Sequence, residues 1–266
     1  ACMQLSDLYL YPIKSTAPLP VREARVEPRG LQHDRRWMVV DADGRFLTGR
    51  QLPRLTLVRA LPHENGLLLE APGMPSLPVV FASALASVPV NVWKSEVLAR
   101  PVDAEVDQWL STFLQRQVRL VHMDEGVSRP MTDPQAQPGD EVSFADAFPL
   151  LLITQAALDG LNARLAKPVS MLQFRPNLVV AGAAAHAEDG WKRIRIGTVE
   201  FDVAKACVRC IFTTVDPARG ERDPDGEPLR TLISYRRSAE GVTFGQNLIP
   251  RSCGQIQAGD RVEVLA

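Results

Sequence analysis

Two of the four cysteines stand three residues apart in KACVRCIFTTVDP, residues 205–217. A CxxC pair admits three kinds of chemistry: a redox dithiol, half of a zinc site, or one functional thiolate with an unrelated neighbour. A thioredoxin-type pair follows a strand and opens a helix, whose N-terminus stabilises the thiolate. Here VEFDVAKA precedes the pair and IFTTVDP follows it, both rich in β-branched or aromatic residues, with Pro217 closing the second. A structural zinc ion needs four ligands, usually from two paired elements. Cys2 and Cys253 are isolated, and His33, His63, His122 and His186 form no HxxxH-like pair. The third reading remains. Lys205 and Arg209 lie two residues either side of Cys207, positions that share its face in a strand. Cations favour the thiolate, which is both the nucleophile and the soft metal ligand. Cys207 is therefore the functional candidate, as nucleophile or as metal ligand, and Cys210 is expected to pack on the opposite face.

The elements that must position this thiol come from a chain of 266 residues, 45% hydrophobic and 23% charged, which is enough for one large domain or two small ones. The longest apolar run, FPLLLI at 148–153, falls far short of the ~18 residues that cross a bilayer. ACMQLSDLYL lacks the basic start and apolar core of a signal peptide. Four cysteines are too few for a disulfide scaffold. Free thiols in a reducing cytoplasm, with no membrane segment, are the expectation. A formal charge of −1 argues against a general polyanion-binding surface, and so against nucleic acid as a partner.

The first hundred residues read as short strands and turns. RWMVVDADGRFLTGR predicts a hairpin with its turn at Asp41–Gly44, and RLTLVRALPHENGLLLEAPG predicts another turning at Asn65–Gly66. Such spacing suggests a barrel or a curled antiparallel sheet. In DAEVDQWLSTFLQR the period changes. Val106, Trp109, Leu110, Phe113 and Leu114 fall on one helical face, with Asp103 as N-cap. The segment 123–149 is rich in Pro, Gly and Asp and has no sustained period, as in an ordered functional loop or a domain connection. Thereafter PLLLITQAALDGLNARLAK predicts a strand entering a helix, and LRTLISYRR a short helix. QFRPNLVVAG, WKRIRIGTVEFDVAKA and RCIFTTV are expected to be strands. The class is α+β and β-rich.

Four segments together resemble the MOSC proteins: YPIKS at 11–15, HDRRWMVVDADGRFLTGRQ at 33–51, FRPNLVV at 174–180 and KACVRCIFTTVDPARG at 205–220. That family includes the mitochondrial amidoxime-reducing component, its bacterial relatives and the C-terminal domain of molybdenum cofactor sulfurase. The resemblance implies an N-terminal MOSC β-barrel domain, residues 1–122, followed by the MOSC-fold barrel domain, residues 123–266. It implies a molybdenum–pyranopterin cofactor whose metal is bound by the first cysteine of CxRC, here Cys207. Such a cofactor carries a phosphate and a polar ring system, which need fixed cations and planar donors. By the family match Lys14, Ser15, Arg35, Thr154, Arg175 and Asn177 are expected to bind it. Thr154 is equally well placed to cap the helix that follows it, and Asn177 to cap backbone. Arg50, Gln246 and Asn247 are candidates for the pocket lining.

The function implied is reduction of small N-hydroxylated substrates such as amidoximes, hydroxylamines and N-hydroxylated bases. The chain ends at GDRVEVLA without clustered cysteines, so its electrons are expected from a separate ferredoxin, flavoprotein or cytochrome. The alternative is a sulfur-carrier or cofactor-handling module that works with a cysteine desulfurase through a persulfide on Cys207.

Overall fold

The computed structural model describes residues 2–80 and 85–266. In the first half, the strands Trp37–Val40, Arg119–His122, Ser95–Pro101 and Val88–Val92 form a four-stranded sheet in that spatial order. A meander of Arg59–His63, Gly66–Glu70 and Leu77–Val80 lies beside it. Helix α1, Ala104–Leu114, starts where the Asp103 carboxylate accepts the Val106 N–H at 2.8 Å. Its apolar face buries Val106, Trp109, Leu110, Phe113 and Leu114 in one core with Ile13, Trp37, Leu67 and Leu120. Each large side chain so buried stabilises the fold by ~1.5–3 kcal/mol.

The largest sheet runs Leu19–Val21, Gln4–Leu10, Leu178–Ala181, Leu150–Thr154, Gly241–Pro250, Val199–Val208, Arg193–Ile196 and Val262–Val264, with Arg237–Ser238 beside Gly241–Pro250. Leu150–Thr154 and Leu178–Ala181 are parallel, joined through helix α2, Gln155–Asn162. All five residues of LLLIT are buried, the continuous apolar run expected of a strand covered on both faces. Helix α3 spans Leu229–Tyr235. The protein is strand-rich, with a curled sheet in its first half, as the α+β expectation required.

The two halves of the chain interleave. Gln4–Leu10 pairs with Leu178–Ala181, placing the first strand inside the second sheet, and Gly254–Gln257 pairs with Glu23–Glu27. Residue 122 ends the last strand of the first half, and the segment after it leads toward Leu150.

Several local expectations are corrected. The turn at 41–44 forms, with Asp41 accepting the N–H groups of Asp43 and Arg45, but its second arm is only a bridge from Val40 to Phe46. The partner strand of Trp37–Val40 is Arg119–His122 instead. QFRPN is not extended: a 3-10 turn, Met171–Phe174, precedes the strand. RCIFTTV likewise holds a 3-10 turn, Ile211–Thr214, so strand alternation stops at Val208. Cys210 is consequently exposed rather than packed on a buried face.

Candidate functional site

A cleft of about 340 Å³ opens where turns from both halves meet, and Cys207 lies in its wall. Lys14 and Ser15 come from the turn after Gln4–Leu10, Arg35 from the turn before Trp37–Val40, and Arg175 from the end of the 171–174 turn. Asn177 and Cys207 complete the sequence-predicted residues in the lining, and Arg50 and Asn247 join them. Ser15, Arg35 and Arg175 have φ of 72°, 48° and 57°. Left-handed backbone is costly for residues other than glycine, and three of the seven such residues described stand in this one wall.

The charge of the cleft is unlike that of the whole chain. Six cations line it (Lys14, Arg35, Arg50, Arg175, Lys205, Arg209) against two carboxylates, Asp133 and Asp146. Lys14 is buried; its ammonium donates to the Phe144 carbonyl at 2.7 Å and to Asp146 at 2.6 Å. Burial lowers its pKa to about 8, with Asp146 opposing the shift. Arg35 donates to Asp34 at 2.8 Å. Burial works against its charge, but its neighbours, Asp34 foremost with Asp146 among the rest, together more than offset this and leave its pKa above the ordinary value. Arg175 is different. Both of its terminal nitrogens are buried with no hydrogen-bond partner, and burial lowers its pKa, although a guanidinium keeps its charge across the ordinary pH range. Its guanidinium lies over the rings of Tyr11 and Phe212, at 4.2 and 5.3 Å. Gly49 makes room for Phe212, because a Cβ there would stand 2.1 Å from the ring.

Cys207 is half-buried, and Arg209 donates to its sulfur at 3.1 Å while its other terminal nitrogen donates to the Phe174 carbonyl at 2.6 Å. The two flanking cations therefore divide. Arg209 meets the thiol, whereas Lys205 pairs with Asp133 at 3.3 Å. Bulges at Val203–Lys205 and Ala206–Val208 break the alternation that would have put both on the sulfur's face. Cys210 also lines the cleft, and all four cysteines are free.

Two predicted residues play other parts. Thr154 does not line the cleft; its hydroxyl donates to the buried Glu188 carboxylate at 3.0 Å and makes no cap bond to α2. Gln246 likewise donates to Asp189, away from the lining. Asn177 lines the cleft but its amide is engaged with backbone, accepting from Leu151 and donating to Tyr9, both at 3.2 Å.

Sequence reasoning missed Asp146, Arg129 and Trp93. Arg129 donates to the carbonyls of Ser143, Ala145 and Asp146 and so fixes the loop that carries Asp146. Trp93 donates to Asp146 at 2.9 Å and carries the Arg50 guanidinium 4.6 Å above its ring. A signal existed for Trp93: it occupies a two-residue hairpin turn, at φ 53°, where glycine or asparagine is usual.

The cleft fits a phosphate-bearing cofactor with a soft metal. An unpaired buried guanidinium asks for an anion, and the half-buried thiol is a soft ligand. Among the described residues no three His, Cys, Asp or Glu side chains gather around a metal position, so a metal at Cys207 would take its other ligands from the cofactor itself.

Comparison with known proteins agrees with this architecture. Residues 2–117 match the MOSC N-terminal beta barrel domain and residues 139–263 match the MOSC domain. The mitochondrial amidoxime-reducing component 1 of Mus musculus is 36% identical across 98% of this chain and 82% of its own length. The Homo sapiens protein of the same name is 35% identical over the same shares, and component 2 of Rattus norvegicus is 37% identical over 97% and 82%. These define a MOSC protein of the two-domain type. The chain belongs to the family of the mitochondrial amidoxime-reducing components.

Proposed function

We propose that this protein is a molybdenum-dependent reductase of N-hydroxylated compounds. The relatives' names support reduction of amidoximes, and the observation that carries the cofactor is the Arg175 guanidinium, buried and unpaired in the wall that holds Cys207. Molybdenum–pyranopterin, when bound, supplies the two-electron chemistry that removes oxygen from an N–OH group. The chain's residues bind and orient it. Arg175, Arg35 and Lys14 meet its phosphate and polar edges, Ser15 and Asn177 shape the wall, and the Cys207 thiolate ligates the metal. Arg209 holds that sulfur in place through its 3.1 Å contact. The balanced reaction takes N–OH, two electrons and two protons to N–H and water. The electrons come from a separate ferredoxin, flavoprotein or cytochrome in the cytoplasm, and the substrate enters as a small molecule.

The test is to purify the chain from a host that makes the cofactor, measure molybdenum and pterin, and assay hydroxylamine reduction. Stoichiometric cofactor with turnover is expected. Cys207→Ser should keep the fold and the melting temperature while activity falls at least about a hundredfold, the size of effect that follows loss of a reacting-centre ligand. Wild-type turnover by that variant sinks the metal-ligand assignment. A cofactor-free protein that takes up persulfide on Cys207 replaces it with sulfur handling.

A further inference from the structure

Tyr11 is fully buried at the end of the first strand. Its N–H donates to Asp34 Oδ1 at 2.9 Å and its hydroxyl donates to the Pro176 carbonyl at 2.8 Å. The ring held between these anchors faces two cations at once. The Arg35 guanidinium carbon lies 4.4 Å from its centroid and that of Arg175 lies 4.2 Å away. Both arginines line the cleft, and both stand on left-handed backbone.

Two guanidiniums on one ring repel each other. Arg35 has Asp34 to offset this, at 2.8 Å, but neither terminal nitrogen of Arg175 has a protein partner. A π face attracts a cation, and the attraction grows when water is excluded. It also parks a long side chain in one rotamer, so less freedom is lost when a ligand arrives. The phenol does not act as a base in this setting. Burial drives its pKa upward, and its proton is given to Pro176.

We propose that Tyr11 is a positioning residue whose ring presents Arg35 and Arg175 together to one anionic group of the phosphate class in the cleft. This rests on, and deepens, the reading of the cleft as a phosphate-bearing cofactor site. Because the ring and not the hydroxyl presents the arginines, phenylalanine should replace tyrosine with little loss of anion binding, at the stability cost of the hydrogen bond to Pro176.

The probe is inorganic pyrophosphate, titrated calorimetrically into the cofactor-free full chain at fixed pH and ionic strength. Tyr11→Phe should bind within about twofold of the wild type. Tyr11→Met, similar in bulk but without a π face, should bind about tenfold more weakly while circular dichroism and melting report a native fold. Equal binding by wild type and Tyr11→Met, or a Tyr11→Phe as weak as Tyr11→Met, overturns the proposal. If Tyr11→Met does not fold, the wild-type chain decides. Two arginine side-chain signals, assigned through Arg35→Lys and Arg175→Lys, should be shifted upfield by the ring and move together as pyrophosphate is added. Movement of one alone, or no saturable binding, overturns it. A wild type that binds pyrophosphate yet never acquires molybdenum–pterin sinks the functional reading and leaves the role of Tyr11 standing.

Discussion

Two clefts among the described residues differ in size and in how their charges are met. The one around Cys207 measures about 340 Å³, and a second, lined by Glu27, Arg29, His33 and Arg36 among others, measures about 860 Å³. In the larger cleft Arg36 pairs with Glu27 at 2.9 Å, and Arg29 pairs with Glu141 at 3.3 Å while also holding the Val127 carbonyl. In the smaller cleft Arg175 has no such partner. An arginine with a built-in carboxylate gains little from an incoming anion, whereas an unpaired buried one gains a great deal. Unmet charge, not volume, separates the candidate site from a groove whose Arg29 and Arg36 already have carboxylate partners.

Opposite responses to the same chemical change follow. Arg175→Gln should weaken retention of an anionic ligand about 10- to 100-fold, the loss of a charge-assisted contact of ~1.5–3 kcal/mol. Its melting temperature should change little, since loss of the contacts to Tyr11 and Phe212 is offset by removal of an unpaired buried charge. Arg36→Gln strands Glu27, whose side chain is 24% exposed, and should cost ~1–3 kcal/mol of stability with ligand retention intact. Parallel urea unfolding and pyrophosphate titrations of both variants read this directly. A destabilised Arg175→Gln that still binds normally would dissolve the contrast between the clefts.

The smaller cleft was only partly legible in the sequence. Lys14, Ser15, Arg35, Arg175, Asn177 and Cys207 lie in four separate segments, which nothing in local pattern joins and only the resemblance to a family brings together. Local pattern served well where burial is periodic. It placed α1 with its Asp103 cap and the buried LLLIT strand. It failed where a turn interrupts the period. The 3-10 turn after Cys210 turned that thiol outward, and two bulges separated Lys205 from the sulfur. Asp146 had no local signal, because its place is set by Arg129 gripping three carbonyls of an aperiodic loop. Whether Asn177 would serve ligand or backbone was likewise open to the sequence, and the fold assigns its amide to Leu151 and Tyr9.

Acidity sharpens the comparison from another side, because Lys14 is a cleft cation that can lose its charge. Burial puts its pKa at about 8, below the ordinary 10.5 of the unfolded chain. Between those values the unfolded chain binds more protons, so this group adds stability to the ligand-free fold as pH rises through that window. An anion in the cleft has the reverse preference, since it favours the ammonium. Above pH 8 binding must take up a proton, and affinity should decline by up to about tenfold per pH unit. Sulfate, whose charge is constant over this range, is the suitable probe. Titrations in buffers of different ionisation heat should show proton uptake at about pH 9 and none at about pH 7. Lys14→Met should flatten the profile, and a wild-type profile already flat would remove Lys14 from the anion site.

The smallest effect is expected at Thr154, which stands outside the cleft. Its N–H and hydroxyl both donate to Glu188, at 2.7 and 3.0 Å, and that carboxylate is fully buried. Burial raises the pKa of Glu188, and the donors of Thr154 work against that shift. Thr154→Val removes one donor from the ionised form, so the carboxylate becomes dearer to keep charged inside the fold. The cost should be ~1–2 kcal/mol near neutrality. Protonated Glu188 loses less by the change, so the deficit should shrink as pH falls from about 8 to about 5. Urea unfolding at those two values measures it, alongside pyrophosphate affinity, which should match the wild type at both. An affinity loss in Thr154→Val without a stability loss would return this hydroxyl to the ligand site.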